Sequence, residues 1–381
     1  MTKERLKGYI DRTRIRYRKS GKKEKKKILD EFCANMGYHR KYAIEFLHNK
    51  NKKSYSKKKG PDTVYAGEVI DVLRSIWKAS GCPCSKRLKA NIPLFLPWYK
   101  KTSPISEDTE KKLAKIGSAT IDRKLKPFRL TLNGKGFCST RPGSLLKSHI
   151  PIKTDTWDVS IPGFLEADTV AHCGNSMAGD FIFTIACVDI QTGWVEQRAI
   201  WNKGQKVTLD AIKSIEKALP FELLGFDCDN GSEFLNYHLW KYCEERPEGK
   251  KVQFTRSRPY KKNDNAHIEQ KNWTHVRQLL GYARLDKQEM VQMLNDLYMM
   301  EWNWYVNFFC TSMKLLSSTR VGSKKVKKYD IPKTPFQRLR ESGIMPAERA
   351  IRMSLQFRKL NPFELYKAIN HKVDLILDLT R

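Results

Sequence analysis

The chain has 381 residues, of which 40% are hydrophobic and 11% aromatic, so it can form packed cores and is not a disordered chain. This length exceeds one ordinary core and predicts roughly two to four domains. Lysine and arginine total 72 against 41 aspartates and glutamates, which gives a formal charge of +31. A charge of that size predicts a polyanionic partner, either nucleic acid or an anionic membrane surface.

The sequence argues against membrane insertion and secretion. No apolar run approaches the roughly 18 residues that span a bilayer, and the basic N-terminal stretch lacks the apolar segment of a signal peptide. Nine cysteines are scattered along the chain. Cys82 and Cys84 are the only close pair, and they have no second pair with which to bind zinc. We expect reduced thiols in a cytoplasmic protein with no membrane partner.

The positive charge lies at the two ends of the chain. Residues 1–150 carry about +25, residues 151–300 about −3 and residues 301–381 about +9. This division predicts a basic front and a basic tail that bind phosphates, with a near-neutral middle that holds its own carboxylates. Binding through phosphate contacts would depend strongly on salt.

Residues 1–50 contain the pattern of a helix-turn-helix. Apolar residues recur at helical spacing over residues 23–35 and again over 38–48, and Gly37 separates the two runs. The second helix would present its first side chains to base edges: His39, Arg40 and Lys41. A generic helical hairpin with solvated charges is the alternative, and the surrounding charge favours DNA binding.

A second helical DNA-binding region is predicted over residues 65–130, after a basic linker over 51–64. Helical spacing marks three segments, of which Pro93 and Pro97 are expected to interrupt the second: residues 65–79, 84–99 and 106–116. Ser118 suits the N-cap of a further helix. This second helix-turn-helix pattern makes three side chains available to DNA: Thr120, Arg123 and Lys124. Residues 131–160, rich in Gly, Ser, Thr and Pro, predict a linker.

Residues 161–310 predict one α/β domain. Strands are expected where β-branched and apolar residues cluster: residues 163–170, 179–190, 194–201, 221–227 and 252–256. Helices are expected where the apolar spacing is helical: residues 205–219, 232–245 and onward from about Asn265. Three antiparallel strands followed by alternating helices and strands, in the order β-β-β-α-β-α-β-α, describe an RNase H-like domain.

Three carboxylates occupy informative positions in this order. Asp168 lies in the first strand, Asp229 follows the fourth strand, and Glu269 lies in the first turns of the late helix. In this fold such positions converge at one edge of the sheet. Carboxylates there can hold two Mg²⁺ ions roughly 4 Å apart, which activate the attacking oxygen and stabilise the leaving oxygen of a phosphodiester. Mn²⁺ can substitute, and no protein nucleophile is needed.

The segments around two of these acids resemble the integrase-core DDE transposases of bacterial insertion sequences. FDCDNGSEF over residues 226–234 matches the family's DNG-x-EF element, and SRPYKKNDNAHIEQKNW over residues 257–273 contains its N-A-x-x-E helix. The resemblance covers residues 155–310, and the helical front is similar to the family's DNA-binding region. It implies a retroviral-integrase-like catalytic core that uses the three acids above for catalysis and metal binding.

Neighbouring acids compete for two of these roles. Strand alternation puts Asp227 on the same face as Asp229, and Glu166 on the same face as Asp168. Glu233 is expected to support the helix after the DNG turn rather than a metal.

A basic lip precedes the late helix and continues onto it. Its side chains would offset the repulsion between DNA and the metal-free acids: Arg256, Arg258, Lys261, Lys262 and Lys271. A plain solvated loop is the alternative. Asn265 and Asn272, four residues before and three residues after Glu269, would lie beside it on the same helix face.

The C-terminal part is expected to be mainly helical. Residues 311–344 predict an exposed basic connector, and residues 345–381 predict two helices, with Asn361-Pro362 marking a start. Binding of DNA ends and oligomerisation both fit this region.

The combined pattern predicts a multidomain DDE transposase. It would bind the terminal inverted repeats of its element, cleave DNA with Mg²⁺ and transfer the strand to target DNA. Transposition joins two ends, so at least a dimer on double-stranded DNA is expected. The resemblance also implies a nucleoid-associated bacterial protein. Two alternatives stay open: a DNA-binding regulator with an inactive core, and a structure-selective nuclease of the same fold.

Overall fold

The computed structural model describes residues 3–48, 64–132, 160–228, 233–234, 236–247, 250–256 and 266–380. The chain divides into two compact units, Met1–Val64 and Tyr65–Arg381. Both predicted linkers, 51–64 and 131–160, lie almost wholly outside the described residues. Within the described ranges, no helix has both the length and the apolar character needed to cross a membrane.

The N-terminal unit contains three helices around a small apolar core: α1 (Lys3–Lys19), α2 (Lys22–Met36) and α3 (Arg40–His48). Gly37 ends α2 with a φ of 67°, a conformation that favours glycine, and its N–H bonds to the Cys33 carbonyl. Phe32 and Leu47 are fully buried between the helices. α2 and α3 are the predicted helix pair, and α1 is an addition to it.

Four helices open the second unit: α4 (Glu68–Ala79), α5 (Ser85–Thr102), α6 (Glu107–Lys115) and α7 (Ser118–Leu132). α5 runs without interruption through Pro93 and Pro97, which corrects the expected break. Each proline removes a helical hydrogen bond, and burial of Ile92, Phe95 and Leu96 offsets that loss. These helices share one hydrophobic core with the central sheet.

A five-stranded mixed sheet forms the centre of the second unit. Its strands are β1 (Phe164–Ala171), β2 (Ile182–Asp189), β3 (Val195–Trp201), β4 (Gly225–Cys228) and β5 (Gln253–Arg256). The order across the sheet is β3-β2-β1-β4-β5. β1 pairs antiparallel with β2, and β2 with β3, whereas β4 is parallel to both β1 and β5. Three antiparallel strands followed by two parallel ones are the arrangement predicted from the sequence.

Helices connect and cover these strands: α8 (Gln205–Ala218), α9 (Tyr237–Glu244), α10 (Ala266–Lys271), α11 (Gln278–Leu280), α12 (Glu289–Leu297) and α13 (Asn303–Phe308). Two π-helical turns join them, Asn272–Arg277 between α10 and α11 and Tyr298–Trp302 between α12 and α13. The predicted order of strands and helices is confirmed. β4 begins at Gly225, later than predicted: Phe221 and Leu223 are buried, as apolar residues of a strand would be, but they lie in the connection before it.

The C-terminal part contains a two-stranded hairpin and three helices. Their bounds are β6 (Leu315–Val321), β7 (Lys324–Tyr329), α14 (Pro335–Glu341), α15 (Ala347–Lys359) and α16 (Pro362–Asp378). The hairpin and α14 lie inside the predicted connector and are additions to it. α15 and α16 are the two predicted helices, and the Asn361 side chain caps α16 by accepting from the Phe363 N–H.

Two asparagine side chains protect the outer edge of β3. Asn307 of α13 accepts from the Val195 N–H and donates to the Val195 carbonyl, both at 2.9 Å. Asn295 of α12 makes the same pair of bonds to Ala199, at 2.8 and 2.9 Å. An open strand edge invites pairing with another chain, and these amides complete the edge from within the protein.

Replacing Asn307 with leucine should destabilise the second unit by about 1–3 kcal/mol, because the buried Val195 N–H loses its partner. Urea unfolding followed by tryptophan fluorescence measures this unit alone, since residues 1–64 contain no tryptophan. Asn370→Leu, at an exposed position of α16, is the matched control and should leave the midpoint unchanged. Equal midpoints for both variants would contradict the role given to Asn307.

Candidate active site

β1 carries two acidic side chains with different surroundings. Glu166 is 1% exposed, and its Oε2 accepts from the Ile268 N–H at 3.1 Å. Asp168 is half-buried: its Oδ1 accepts from the Thr169 N–H and its Oδ2 from the Asn272 amide, both at 2.7 Å. Alternation along the strand puts both acids on one face of the sheet. Asp168 is therefore the acid on that face that solvent reaches more easily.

β4 ends beside β1, just before the position of Asp229. The parallel register pairs Ala167 with Cys228, the last residue of β4. Asp227 is buried, and its Oδ1 accepts from the Thr255 hydroxyl of β5 at 2.6 Å. Asp229 follows Cys228 directly in the chain and lies outside the described residues.

The residues that follow positions 229–232 contact β1 through the side chain of Glu233. Glu233 is 5% exposed, and its Oε1 accepts from the Thr169 hydroxyl at 3.1 Å and from the Lys203 ammonium at 2.6 Å. Burial alone raises the pKa of the Glu233 carboxyl, but the hydrogen bonds from Lys203 and Thr169 bring it below the ordinary value of 4.5. Residues on both sides of the segment thus contact β1, immediately before and immediately after Asp168.

α10 brings Glu269 to the same strand. The Ile268 N–H, in the first turn, bonds to the buried Glu166, and the Asn272 amide, in the π-helical turn, bonds to Asp168. Glu269 lies between these two contacts and is exposed. The two bonds fix the helix against β1 on either side of Glu269, so the backbone of this residue is held beside the strand.

The first group of predicted DNA contacts lies on the surface of the N-terminal unit. His39, Arg40 and Lys41 are exposed where α3 begins. Arg40 also forms an ion pair with Asp30 of α2, and both side chains are exposed. The group is accessible to a ligand, and its contact with DNA stays a prediction.

The second group lies on α7 and at the end of β5. Arg123 and Arg256 are exposed, and Thr120 and Lys124 are half-buried. The Arg123 guanidinium donates to the Thr120 hydroxyl at 3.2 Å, within its own helix. Their contact with DNA also stays a prediction. Three further predicted contacts lie outside the described residues: Arg258, Lys261 and Lys262.

Lys271, the last residue of α10, is half-buried. Its Nζ lies 3.2 Å from Nε2 of the buried His275, one turn further along the helix. Burial lowers the pKa of Lys271 to about 8 and the pKa of His275 well below its ordinary value. The ammonium lies against an internal side chain, and the predicted contact of Lys271 with DNA stays a prediction.

Sequence patterns miss three side chains that organise the site. Lys203 and Thr169 hold Glu233, and Glu166 holds α10. These contacts join residues 30, 64 and 102 positions apart, so no local motif contains both partners. The one available signal is strand alternation, which places Glu166 on the face of Asp168 and marks it only as a competitor.

The donor atoms at this site suit a hard cation. Asp168 and Glu269 supply carboxylate oxygens, which Mg²⁺ prefers while keeping several waters. Each carboxylate oxygen has two lone pairs, so a hydrogen-bonded carboxylate can also bind a cation. Asp229 is not among the described residues, and within those residues no group of three or more His, Cys, Asp or Glu side chains is placed to hold a metal ion.

These features define an acidic site on β1, in the mixed sheet of an α/β domain. No protein-family model matches the chain. The chain is 38% identical over 331 residues to the uncharacterized protein y4rM of Sinorhizobium fredii (strain NBRC 101917 / NGR234), and the match covers 85% of this chain and 91% of that protein. The chain belongs to the same family as that protein.

Solved structures similar to this chain include retroviral integrases. The catalytic core domain of BIV integrase matches 48% of this chain and 95% of its own, with 15% identity and a TM-score of 0.31. The HTLV-2 integrase catalytic core domain in complex with magnesium matches 47% and 97%, with 15% identity and a TM-score of 0.30. The simian T-cell lymphotropic virus intasome in complex with PP2A regulatory subunit B56 gamma matches 63% and 72%, with 12% identity and a TM-score of 0.34. Because these TM-scores are low, the similarity gives no information about function. A function can be inferred only from the contacts within this chain.

Replacing Lys203 with methionine should lower the free energy of unfolding by about 1–3 kcal/mol at neutral pH, because the buried Glu233 loses its cation. The loss is smaller than for a fully buried pair, since Lys203 is 41% exposed. The folded protein lowers the pKa of Glu233, so the pair contributes its full stability above the ordinary value of 4.5 and loses it as the pH falls through the folded value.

The difference in stability between Lys203→Met and the unmodified protein should therefore shrink in acid. Urea unfolding between about pH 7 and about pH 3 measures this difference. Lys206→Met, at an exposed lysine of α8, controls for the loss of one lysine. A difference that stays constant over this range would show that the ion pair is not its cause.

Proposed function

We propose that the protein is a DDE transposase, a polynucleotidyl transferase that cuts DNA at the ends of its own element and joins them to target DNA. Its catalytic and metal-binding residues are Asp168, Asp229 and Glu269. In the first step water displaces one strand at a phosphodiester and frees a 3′-OH. In the second step that 3′-OH attacks a phosphodiester of the target, forming a new P–O bond and releasing a target 3′-OH.

One observation carries the proposal: three chain segments meet at Asp168. The end of β4 pairs with Ala167, directly before Asp168. Glu233 bonds to Thr169, directly after it. Asn272, in the helix that follows β5, bonds to Asp168 itself. Asp229 directly follows β4, and Glu269 lies three residues before the Asn272 that bonds Asp168. A site that holds two divalent ions needs carboxylates from separate rigid elements at one point, and this arrangement supports such a site.

The contacts also favour these acids over their neighbours. Glu166 is buried and accepts a backbone N–H from α10, and Asp227 is buried and accepts the Thr255 hydroxyl. Both neighbours hold elements of the fold together. Asp168 lies on the same face as Glu166 and has more access to solvent, as a group that meets DNA requires.

The residues around the acids supply orientation. The chemistry that Mg²⁺ provides when bound is activation of the attacking oxygen and stabilisation of the leaving oxygen. The Asn272 amide donates to Oδ2 of Asp168 and so orients that carboxylate. Glu166 anchors α10 through the Ile268 N–H and thereby fixes the position of Glu269 along β1. Such positioning matters because misplacement by about 1 Å can cost a hundredfold in rate.

DNA binding is assigned to the basic front of the chain. Residues 1–150 carry about +25. Their exposed cations include Arg40 and Lys41, which follow His39 at the start of α3, and Arg123 on α7. Phosphate contacts from these residues would bring DNA to a site that is itself acidic. Two element ends must be joined, so the active species is expected to contain at least two copies of the chain on DNA.

Single replacements of the three acids should abolish Mg²⁺-dependent cleavage of DNA that carries the element's ends. Asp168→Asn, Asp229→Asn and Glu269→Gln keep side-chain size and remove the charge that holds the metal. The metal stabilises the transition state by several kcal/mol, so each variant should lose about a hundredfold or more in rate. Gel assays of strand cleavage and strand transfer measure this loss.

The control is Asp210→Asn, an exposed acid of α8, which should cleave as the unmodified protein does. Full activity in any one of the three acid variants would remove that residue from the site. Binding of end-containing DNA without any cleavage by the unmodified protein, with either Mg²⁺ or Mn²⁺, would favour a regulator. Cutting of branched DNA without strand transfer would favour a nuclease.

Asn272→Ala should lower activity by about 10–100-fold, the usual cost of losing a residue that orients a metal ligand. The loss should be partly restored by raising the Mg²⁺ concentration, because the variant leaves all three acids in place. Titration of cleavage rate against Mg²⁺ separates this effect from a loss of fold. Gln270→Ala, an exposed neighbour on the same helix, is the matched control; a Mg²⁺ dependence identical in both variants would refute the role of Asn272.

A further inference from the structure

The hairpin β6–β7 is exposed along its whole length. Every residue of Leu315–Val321 and Lys324–Tyr329 is exposed. A strand pair usually packs one face on a core, because an isolated two-stranded hairpin is at best marginally stable in water. This hairpin is therefore displayed to solvent rather than used to build the core.

The root of the hairpin is held firmly. Ser312 and Lys333 form a backbone bridge just before β6 and after β7, at 2.9 and 3.1 Å. The buried Arg338 donates to the Asp330 carboxylate and to the Ser312 carbonyl, both at 2.7 Å. Asp330 also accepts from the Lys314 N–H at 2.6 Å. A rigid root on an exposed ribbon fixes the direction in which the ribbon leaves the unit.

The hairpin is strongly basic. Residues 315–329 contain five lysines and arginines and no aspartate or glutamate. The register places Arg320 directly opposite Lys325, with Lys327 two residues further along the same face. Five cations and no acid within the fifteen positions of this exposed hairpin give this part of the surface a positive potential that attracts a polyanion.

The cations lie on both faces of the ribbon. Arg320, Lys325 and Lys327 share one face by strand alternation, and Lys324 and Lys328 share the other. A flat anionic membrane would meet only one face. The major groove of duplex DNA is about 12 Å wide, admits a two-stranded ribbon and has phosphates along both walls. Cations on two faces therefore match a duplex better than a membrane.

We propose that the ribbon β6–β7 enters a groove of double-stranded DNA and contacts the phosphates on both sides of it. This inference rests on the proposed function, and it adds a DNA-binding surface within the same unit as the acidic site. The contacts are with the backbone, so they add affinity for any sequence rather than recognition of the element's ends.

The test compares two full-length variants that each lose four positive charges. The ribbon variant replaces Lys324, Lys325, Lys327 and Lys328 with glutamine. The control variant makes the same change at four exposed lysines elsewhere in the second unit: Lys206, Lys217, Lys359 and Lys367. Fluorescence anisotropy with a duplex of random sequence, over a range of KCl concentrations, gives the affinity and its salt dependence.

The ribbon variant should bind roughly tenfold or more weakly at low salt, and its log–log salt slope should become shallower by about one for each lysine that contacts a phosphate. The control should change little in either quantity. Arginine at the same four ribbon positions should keep the affinity, because either cation contacts phosphate. Unchanged thermal unfolding of the variants would show that only the surface has been altered.

Equal affinities and slopes for the ribbon and control variants would overturn the proposal. Retained duplex binding with loss of binding to phosphatidylserine vesicles would overturn it in favour of a membrane. The outcome is separable from that of the proposed function: cleavage that needs Asp168 can stand while the ribbon proposal falls. The salt slope likewise decides the ribbon even if no cleavage is observed.

Discussion

The site depends on the docking of one helix on one strand. Glu166, almost fully buried in β1, accepts the Ile268 N–H at the start of α10, and Asp168 accepts the Asn272 amide less than two turns later. A buried carboxylate is costly without hydrogen bonds, and the N-terminal turn of a helix offers N–H groups that no helical carbonyl uses. The acid therefore stabilises this helix position above others, and the position of Glu269 follows from it.

The π-helical turn after α10 also helps to position side chains at the site. π-helical turns are rare and often occur at functional sites, because the added residue changes which side chains face a neighbour. Here the turn begins at Asn272, the residue that bonds Asp168. It also contains the buried His275, whose Nε2 lies within hydrogen-bond distance of the Lys271 ammonium. This irregular turn thus directs an amide to the acidic site and places a buried ring against the half-buried Lys271.

In the proposed function, cations bind DNA and carboxylates hold the metal, and the two kinds of charge lie in different parts of the chain. The acids lie in a near-neutral part of the chain, and the excess of cations lies before and after it in sequence. Within the second unit, the exposed ribbon β6–β7 concentrates five cations, while Arg338, Asp330 and Ser312 hold its root. Exposed cations attract a polyanion over a Debye length of roughly 8–10 Å, whereas carboxylates hold a metal ion only by direct coordination. The two roles therefore need different places in the structure.

The sequence alone determined the order of strands and helices, because apolar periodicity is a local property, and it singled out the acids through the short motifs around Asp229 and Glu269. It also predicted wrongly that Pro93 and Pro97 would break a helix, since burial by distant elements outweighs the lost hydrogen bonds. Only the tertiary structure decided that Glu166 is an anchor, that Glu233 pairs with Lys203, and that the predicted connector forms a basic ribbon. Each of those outcomes depends on which residues far apart in the chain become neighbours, and local periodicity carries no information about that.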